Sequence, residues 1–405
     1  MTQVNIRNLL VIGIDVVSLT VSARKAGYQV YVADFFGDQD LKHVCSKSLS
    51  IIKQKPEKTC GQMSGDFNPE ALLQLARELL KKNTIDAALL SSGLDDYLDV
   101  LFELNDLIPI LGNHPNVIKK IRDKMNFFQE LKRLGIPHPE TAIAENYEEA
   151  REKSKDIGYP VLVKPSRGFG GVGIRKAQNS KELRQAFRDA SFFDEKVLIQ
   201  EHISGTPASA SLISSTNRAI TLILNEQLLG LDEVSQEEPF GYCGNVVPLM
   251  ATRAVTDKCK DIVERIAMHF GLVGSNGIDL VISNDGIPYV VEVNPRFQGT
   301  LECVEQVLGI NMVKAHVKAC LEGILPTIIK KPQVFCTRLI LFAPQRSMVP
   351  DLTIFEEVRD IPIPRVIVEK GEPVCSIIVE AADRNSSLRK AKAIAKLIRK
   401  SLQPS

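Results

Sequence analysis

The chain has 405 residues, enough for two to three domains with sizeable cores, and its 50 basic residues are balanced by 49 acidic ones. That balance gives no electrostatic reason to expect nucleic acid or an anionic membrane as a partner. None of the eight cysteines forms a Cys-x-x-Cys pair, several lie in apolar segments, and no signal peptide or apolar run of about 18 residues occurs, so a cytoplasmic protein with free thiols is expected.

In chain order, Asn8 to Gly13 reads as a buried strand, Val17 to Ala26 as a helix and Tyr28 to Asp34 as a second strand. Strand, helix, strand in close succession is a parallel βαβ unit. Asp34 stands where a dinucleotide-binding chain keeps its ribose acid, but Gly13 is a single glycine where that fingerprint needs three, so a structural role for Asp34 is expected. Ile85 to Gly93 supplies another buried strand with a polar carboxyl end. Ligands collect at such ends of open parallel sheets, which places Ser91, Ser92 and Gly93 toward substrate.

Lys124 lies in a polar–apolar helical pattern from Ile121 to Lys132, where a solvated lysine is the alternative to a functional one. Tyr159-Pro-Val-Leu-Val-Lys164 then ends a β-branched run in a lysine, and Gly168, Gly170, Gly171 and Gly173 follow at once. Glycines let the backbone bend and expose N–H groups to phosphate oxygens, and Lys164 adds a point charge. The spacing satisfies G-x-G-x-x-G, yet the residues after it read as a strand, so a flap between two strands is expected rather than a dinucleotide turn; no Gly-Lys-Ser/Thr ends the stretch as a phosphate P-loop requires. A flexible hairpin tip is the alternative.

Residues 279–296 carry the densest signal. Asp279 and Glu292 lie in two apolar, strand-like runs joined by Asn284-Asp285-Gly286, a strong hairpin turn signal. Glu292 and Asn294, two apart, share a strand face. Two carboxylates and an amide brought together in an apolar sheet repel unless a cation sits among them, and an all-oxygen set with few carboxylates suits Mg²⁺, which borrows further ligands from water and phosphates. An exposed edge hairpin with incidental acids is the alternative.

The order Lys124, Lys164 with its glycine loop, Ile199-Gln-Glu201-His-Ile203-Ser-Gly205, Asp279, then Glu292-Val-Asn294-Pro-Arg296 resembles the ATP-grasp superfamily of ATP-dependent ligases, over roughly residues 110 to 325. The resemblance implies an ATP-grasp fold: α/β and α+β, with an N-terminal parallel α/β domain and a small C-terminal α/β domain. The domains it implies are 1–115, 116–325 (a first lobe at 116–200 and a second at 201–325) and 326–405. It also implies ATP with Mg²⁺ or Mn²⁺ as cofactors. Lys124, Lys164 and the glycines at 168, 170, 171 and 173 would hold phosphates, and Gln200, Glu201, His202 and Ile203 would meet adenine. Asp279, Glu292 and Asn294 would ligate metal, and Arg296, with Lys164, would act on the transferred phosphate. One departure is Pro207, where family members often keep a ribose-binding acid; Ser209 and Ser211 are the substitutes expected.

Lys370-Gly-Glu-Pro-Val and a basic helix from Ser387 to Leu402 resemble the end of biotin carboxylase-like members; without interleaved aromatics the helix reads as a solvated face. For the acceptor, Glu233, Glu237, Glu238, Phe240 to Asn245 and Gln298 to Thr300 are candidates. The expected reaction is ATP-dependent joining of a small-molecule carboxylate to an amine through an acylphosphate, in a chain able to form a homodimer. Activation of bicarbonate or formate is the second expectation. A nucleotide sensor and a dinucleotide-dependent oxidoreductase follow.

Overall fold

The computed structural model describes residues 6–168, 170–327 and 329–405. Phe169, inside the glycine stretch, lies outside the described residues.

The N-terminal part alternates β1 (Asn8–Gly13), α1 (Val17–Lys25), β2 (Gln29–Asp34), β3 (Lys47–Ser50), the short α2 (Met63–Asp66), α3 (Pro69–Lys82), β4 (Ala87–Leu90) and α4 (Leu98–Leu107). Its strands form a parallel sheet in the order β3-β2-β1-β4. Both faces are covered, as a parallel sheet requires: Leu10, Ile12 and Ala88 meet α3 and α4, while Leu9, Val11 and Leu89 meet α1 and helices from the far end of the chain. Asp34 is fully buried and accepts the Gly37 N–H and the Ser50 hydroxyl, which is the structural role its lone glycine partner implied.

Two helices, α5 (Pro115–Arg122) and α6 (Lys124–Arg133), lead into a small lobe. There β5 (Thr141–Ala144), α7 (Tyr147–Ile157), β6 (Val161–Pro165), β7 (Arg175–Ala177), α8 (Ser180–Ser191) and β8 (Val197–Glu201) form an antiparallel sheet, β5-β8-β6-β7, backed by α7 and α8. The glycine stretch joins β6 to β7, a connection between antiparallel strands.

The rest is built on one large antiparallel sheet. Its strands are β9 (Gly205–Ser214), β10 (Ala219–Leu229), β11 (Tyr242–Val247), β12 (Gly274–Ser283) and β13 (Pro288–Asn294), with α9 (Arg253–Phe270), α10 (Leu301–Leu308) and α11 (Met312–Glu322) packed on it. After α11 come β14 (Phe335–Phe342), β15 (Ser347–Met348), β16 (Val358–Arg359), β17 (Ile367–Val368), β18 (Pro373–Ala381), α12 (Arg384–Ser401) and β19 (Gln403–Pro404). The large sheet runs β13-β12-β9-β10-β11-β14-β18-β16, so β14, β18 and β16 continue the sheet of residues 205–294, while β17, β15 and β19 form a small three-stranded sheet of their own. The join is β11 against β14, where Asn245 faces Arg338. Among the described residues no helix is long and apolar enough to cross a membrane.

Candidate active site

The β12–β13 hairpin turns at Gly286, whose φ of 76° suits glycine, with the Gly286 N–H donating to the Ser283 carbonyl at 2.9 Å. Its register puts Asp279 directly opposite Glu292 and Asn294 opposite Gly277. Asn294 Nδ2 donates to Asp279 Oδ2 at 3.0 Å, and Gln227 Nε2 from β10 donates to Asp279 Oδ1 at 2.9 Å. Burial, reinforced by the neighbouring Glu292 charge, pushes the Asp279 carboxyl up to about 7. Glu292 behaves oppositely. Burial alone would raise it, but Lys124 and Arg122 hold it well below the usual carboxylate range. Both cations reach Glu292 Oε1 at 2.6 Å, Lys124 from the first turn of α6 and Arg122 from the last turn of α5. Lys124 is thus a half-buried, paired lysine rather than a solvated one.

Lys164, at the end of β6, donates to Gln200 Oε1 on β8 at 2.6 Å, and Gln200 Nε2 donates in turn to Thr141 at 2.9 Å. Burial lowers the Lys164 ammonium to about 8, with the Lys124 charge adding to the shift. The segment expected to meet adenine is therefore mixed. Gln200 is 2% exposed and its side chain serves Lys164. The Glu201 and His202 N–H groups donate to the carbonyls of Glu140 and Pro160. Ser209 and Ser211 are buried in β9 and bonded by Asn225, which leaves no exposed hydroxyl there for a ribose.

The glycine stretch is held against the β10–β11 connection. Gly170 accepts the Tyr242 N–H at 2.8 Å, and Gly173 N–H donates to Glu238 at 3.3 Å. Arg175 makes a two-pronged pair with Glu238 and reaches Asp189 at 3.3 Å. The other acceptor candidates of that connection are also paired, Glu233 with Lys392 and Glu237 with Lys370, each at 2.9 Å.

Arg296 is turned to the N-terminal part: its Nε meets Asp95 Oδ2 at 2.7 Å, while Nη2 donates to Asn294 Oδ1 at 3.3 Å. Arg122 pairs with Asp96 at 2.5 Å as well as with Glu292. Asp95 and Asp96 follow the strand end expected to face substrate through Ser91, Ser92 and Gly93, so the charged residues lie two positions beyond that expectation. Ser91 and Ser92 themselves hold the turn after β1, through the Asp15 carbonyl and the Ile14 N–H. Arg338, 2% exposed, binds Asp15 at 2.7 Å, the Gly299 carbonyl at 2.6 Å and Asp360 at 3.2 Å. Gln298 accepts from Ser211 at 3.1 Å. Sequence reasoning missed Arg122, Asp95, Asp96, Gln227 and Arg338. The carboxyl-end rule could have extended to Asp95 and Asp96; the others carry no local signal.

Among the described residues no three or more His, Cys, Asp or Glu side chains cluster for a metal. The set at hand is two carboxylates facing each other with the Asn294 amide beside them, its nitrogen toward Asp279 and its oxygen toward Arg296; burial first, and then the Glu292 charge, raises the Asp279 carboxyl, a cost that a cation bound by these oxygens would relieve. These residues fit Mg²⁺.

Residues 121–300 match the model of the ATP-grasp domain. An uncharacterized protein of Methanocaldococcus jannaschii is 27% identical over 379 residues, covering 92% of this chain and 88% of that one. The arginine-specific carbamoyl phosphate synthase large chain of Bacillus subtilis is 28% identical over 238 residues; the match takes in 58% of this chain but only 22% of that longer protein. The biotin carboxylase of Campylobacter jejuni, solved with a β,γ-ATP compound, shares the fold at a TM-score of 0.76 and 18% identity, over 99% of this chain and 96% of that one. The superfamily uses ATP with Mg²⁺. Residues 121–300 thus carry an ATP-grasp domain, the domain that marks a superfamily of ATP-dependent ligases.

Proposed function

We propose that the protein is an ATP-dependent carboxylate–amine ligase that releases ADP and phosphate. The observation that carries this reading is the part-buried charge array in which Lys124 and Arg122 bond Glu292, Arg296 bonds Asn294 and Asn294 bonds Asp279, with Lys164, held by Gln200, close enough to interact with the Glu292, Lys124 and Asp279 charges. A carboxylate oxygen attacks the γ-phosphorus and ADP leaves, giving an acylphosphate. An amine then attacks the acyl carbon, the C–O bond to phosphate breaks, and the amine loses a proton. Catalysis of the first step is positioning plus charge neutralisation.

Asp279, Glu292 and Asn294 would hold Mg²⁺, which when bound neutralises phosphate charge. In this reading Lys124 and Lys164 bind phosphate oxygens, and Arg296, fixed by Asp95, presents its planar fork to the transferred group. The glycine stretch, tied to Tyr242 and Glu238, covers the phosphates and keeps water from the acylphosphate. Glu292→Gln and Lys164→Ala are expected to lower ATP-dependent turnover by about a hundredfold or more while the melting temperature stays near that of the parent. Parent-like turnover in either variant would overturn the assignment.

Bicarbonate activation is the second reading, supported by the carbamoyl phosphate synthase and biotin carboxylase likenesses. Incorporation of label from bicarbonate into product would select it.

A further inference from the structure

One face of the large sheet carries a polar row from the charge array into the C-terminal strands. The register pairs Glu292 with Asp279, Asp279 with Ser209, and Ser209 with Asn225; two residues on, Gln227 pairs with Asn245, and Asn245 with Arg338. Directly paired residues share a face, as do residues two apart. The row therefore crosses six strands from β13 to β14, and Asn225 stands on the second strand from Asp279, roughly 10 Å away.

Among the described residues, three polar atoms in this row and beside it have no partner. Asn225, fully buried, donates to Ser209 and Ser211, but its Oδ1 receives nothing. Asn245, 1% exposed, accepts from the Tyr242 hydroxyl, but its Nδ2 donates to nothing. Asp15 gives Oδ2 to Arg338 and leaves the buried Oδ1 open. A buried polar atom without a partner loses its hydration with nothing in return, so each one calls for a ligand or another explanation. Two empty acceptors flanking one empty donor are the complement of a ligand that donates N–H twice and accepts once. The cations bounding the stretch are already matched: Arg296 faces Asp95, and Arg338 faces both Asp15 and Asp360. Nothing there favours a phosphate on the ligand.

We propose that Asn225, Asn245 and Asp15 form the acceptor subsite, and that it takes an amine bearing a neighbouring oxygen acceptor and no phosphate group. This rests on the ligase reading above. The amine N–H donates to Asn225, on the side of the row toward Asp279, a second N–H donates to Asp15, and Asn245 donates to the ligand oxygen. Tyr242 ties the subsite to the glycine stretch, since its hydroxyl holds Asn245 while its N–H holds Gly170.

The test is calorimetric binding to the full chain with Mg²⁺ and ADP present. One pool holds free α-amino acids, ethanolamine and glucosamine; the other holds phosphoserine, phosphoethanolamine and glucosamine 6-phosphate. The expected result is binding from the first pool only, weakened about tenfold or more in both Asn225→Ala and Asn245→Asp. The melting-temperature rise with Mg²⁺ and ADP, retained in each variant, shows that its fold persists. Preference for phosphorylated amines, unchanged affinity in a folded variant, or no binding from either pool would overturn the proposal. If one variant fails to fold, the other and the charge preference of the parent still decide. Amine binding without any ADP release would count against the ligase reading alone.

Discussion

Lys164 shows how burial sets a working range. Its ammonium is lowered to about 8 by desolvation and by Lys124, and only the protonated form attracts phosphate. Affinity for Mg²⁺-ATP should therefore peak between about pH 7, below which Asp279 takes up a proton, and about pH 8, above which Lys164 loses one, with the fall above pH 8 approaching a tenfold loss per unit, about 1.4 kcal/mol. Titrating the dissociation constant from pH 6.5 to 9.5 checks this, and a flat profile would contradict it. Glu292, held low by two cations, stays ionised across that range and adds no slope. Legible at this scale are residues within one local pattern: the acids of the hairpin, the lysine before the glycines. Arg122 is not legible, because it stands 170 positions from Glu292 and an ion pair across that separation leaves no periodicity to read.

At the scale of elements, the glycine stretch and its support act as one unit. Gly171 has φ +77°, and a Cβ there would collide with the Phe240 carbonyl. Gly171→Ala should lose turnover by about tenfold or more through backbone strain and clash together, with the melting temperature little changed; steady-state ADP release checks it. Glu238→Gln should act more mildly, raising the KM for ATP, because it weakens the pair with Arg175 but keeps a hydrogen-bonding oxygen near Gly173. Parent-like kinetics in Gly171→Ala would show that the loop's closeness to β11 has no bearing on catalysis. The Asn-Asp-Gly turn makes β12 and β13 readable from the sequence alone. Gln200 shows the limit: a residue at the end of a strand reads as hinge or strand equally well, and only its bond to Lys164 decides its use.

For the whole molecule, the long sheet is the frame that holds both ends of the site. Asp279 and Arg338 stand on strands four apart, so a change in the β11–β14 join alters the path between them. Leu339, fully buried beside that join, packs among Val246, Leu341 and Ile377. Leu339→Ala should cost about 2–5 kcal/mol of stability, measured by denaturant unfolding; a loss below about 1 kcal/mol would mean that these strands tolerate separation. The alternating strands and helices of the N-terminal part are legible because local hydrophobic pattern dictates them. Continuation of the sheet into residues 335–381 is not, since antiparallel strands distant in sequence choose partners by packing.

Phosphoryl transfer to a carboxylate, followed by attack of an amine, is the step on which the ligase reading stands. Its most direct test is a reaction with Mg²⁺-ATP and pooled carboxylates labelled with oxygen-18, with and without pooled amines. The expected result is ADP release that needs both pools, with one labelled oxygen carried into the released phosphate. Phosphate without label, or release driven by bicarbonate alone, would contradict it.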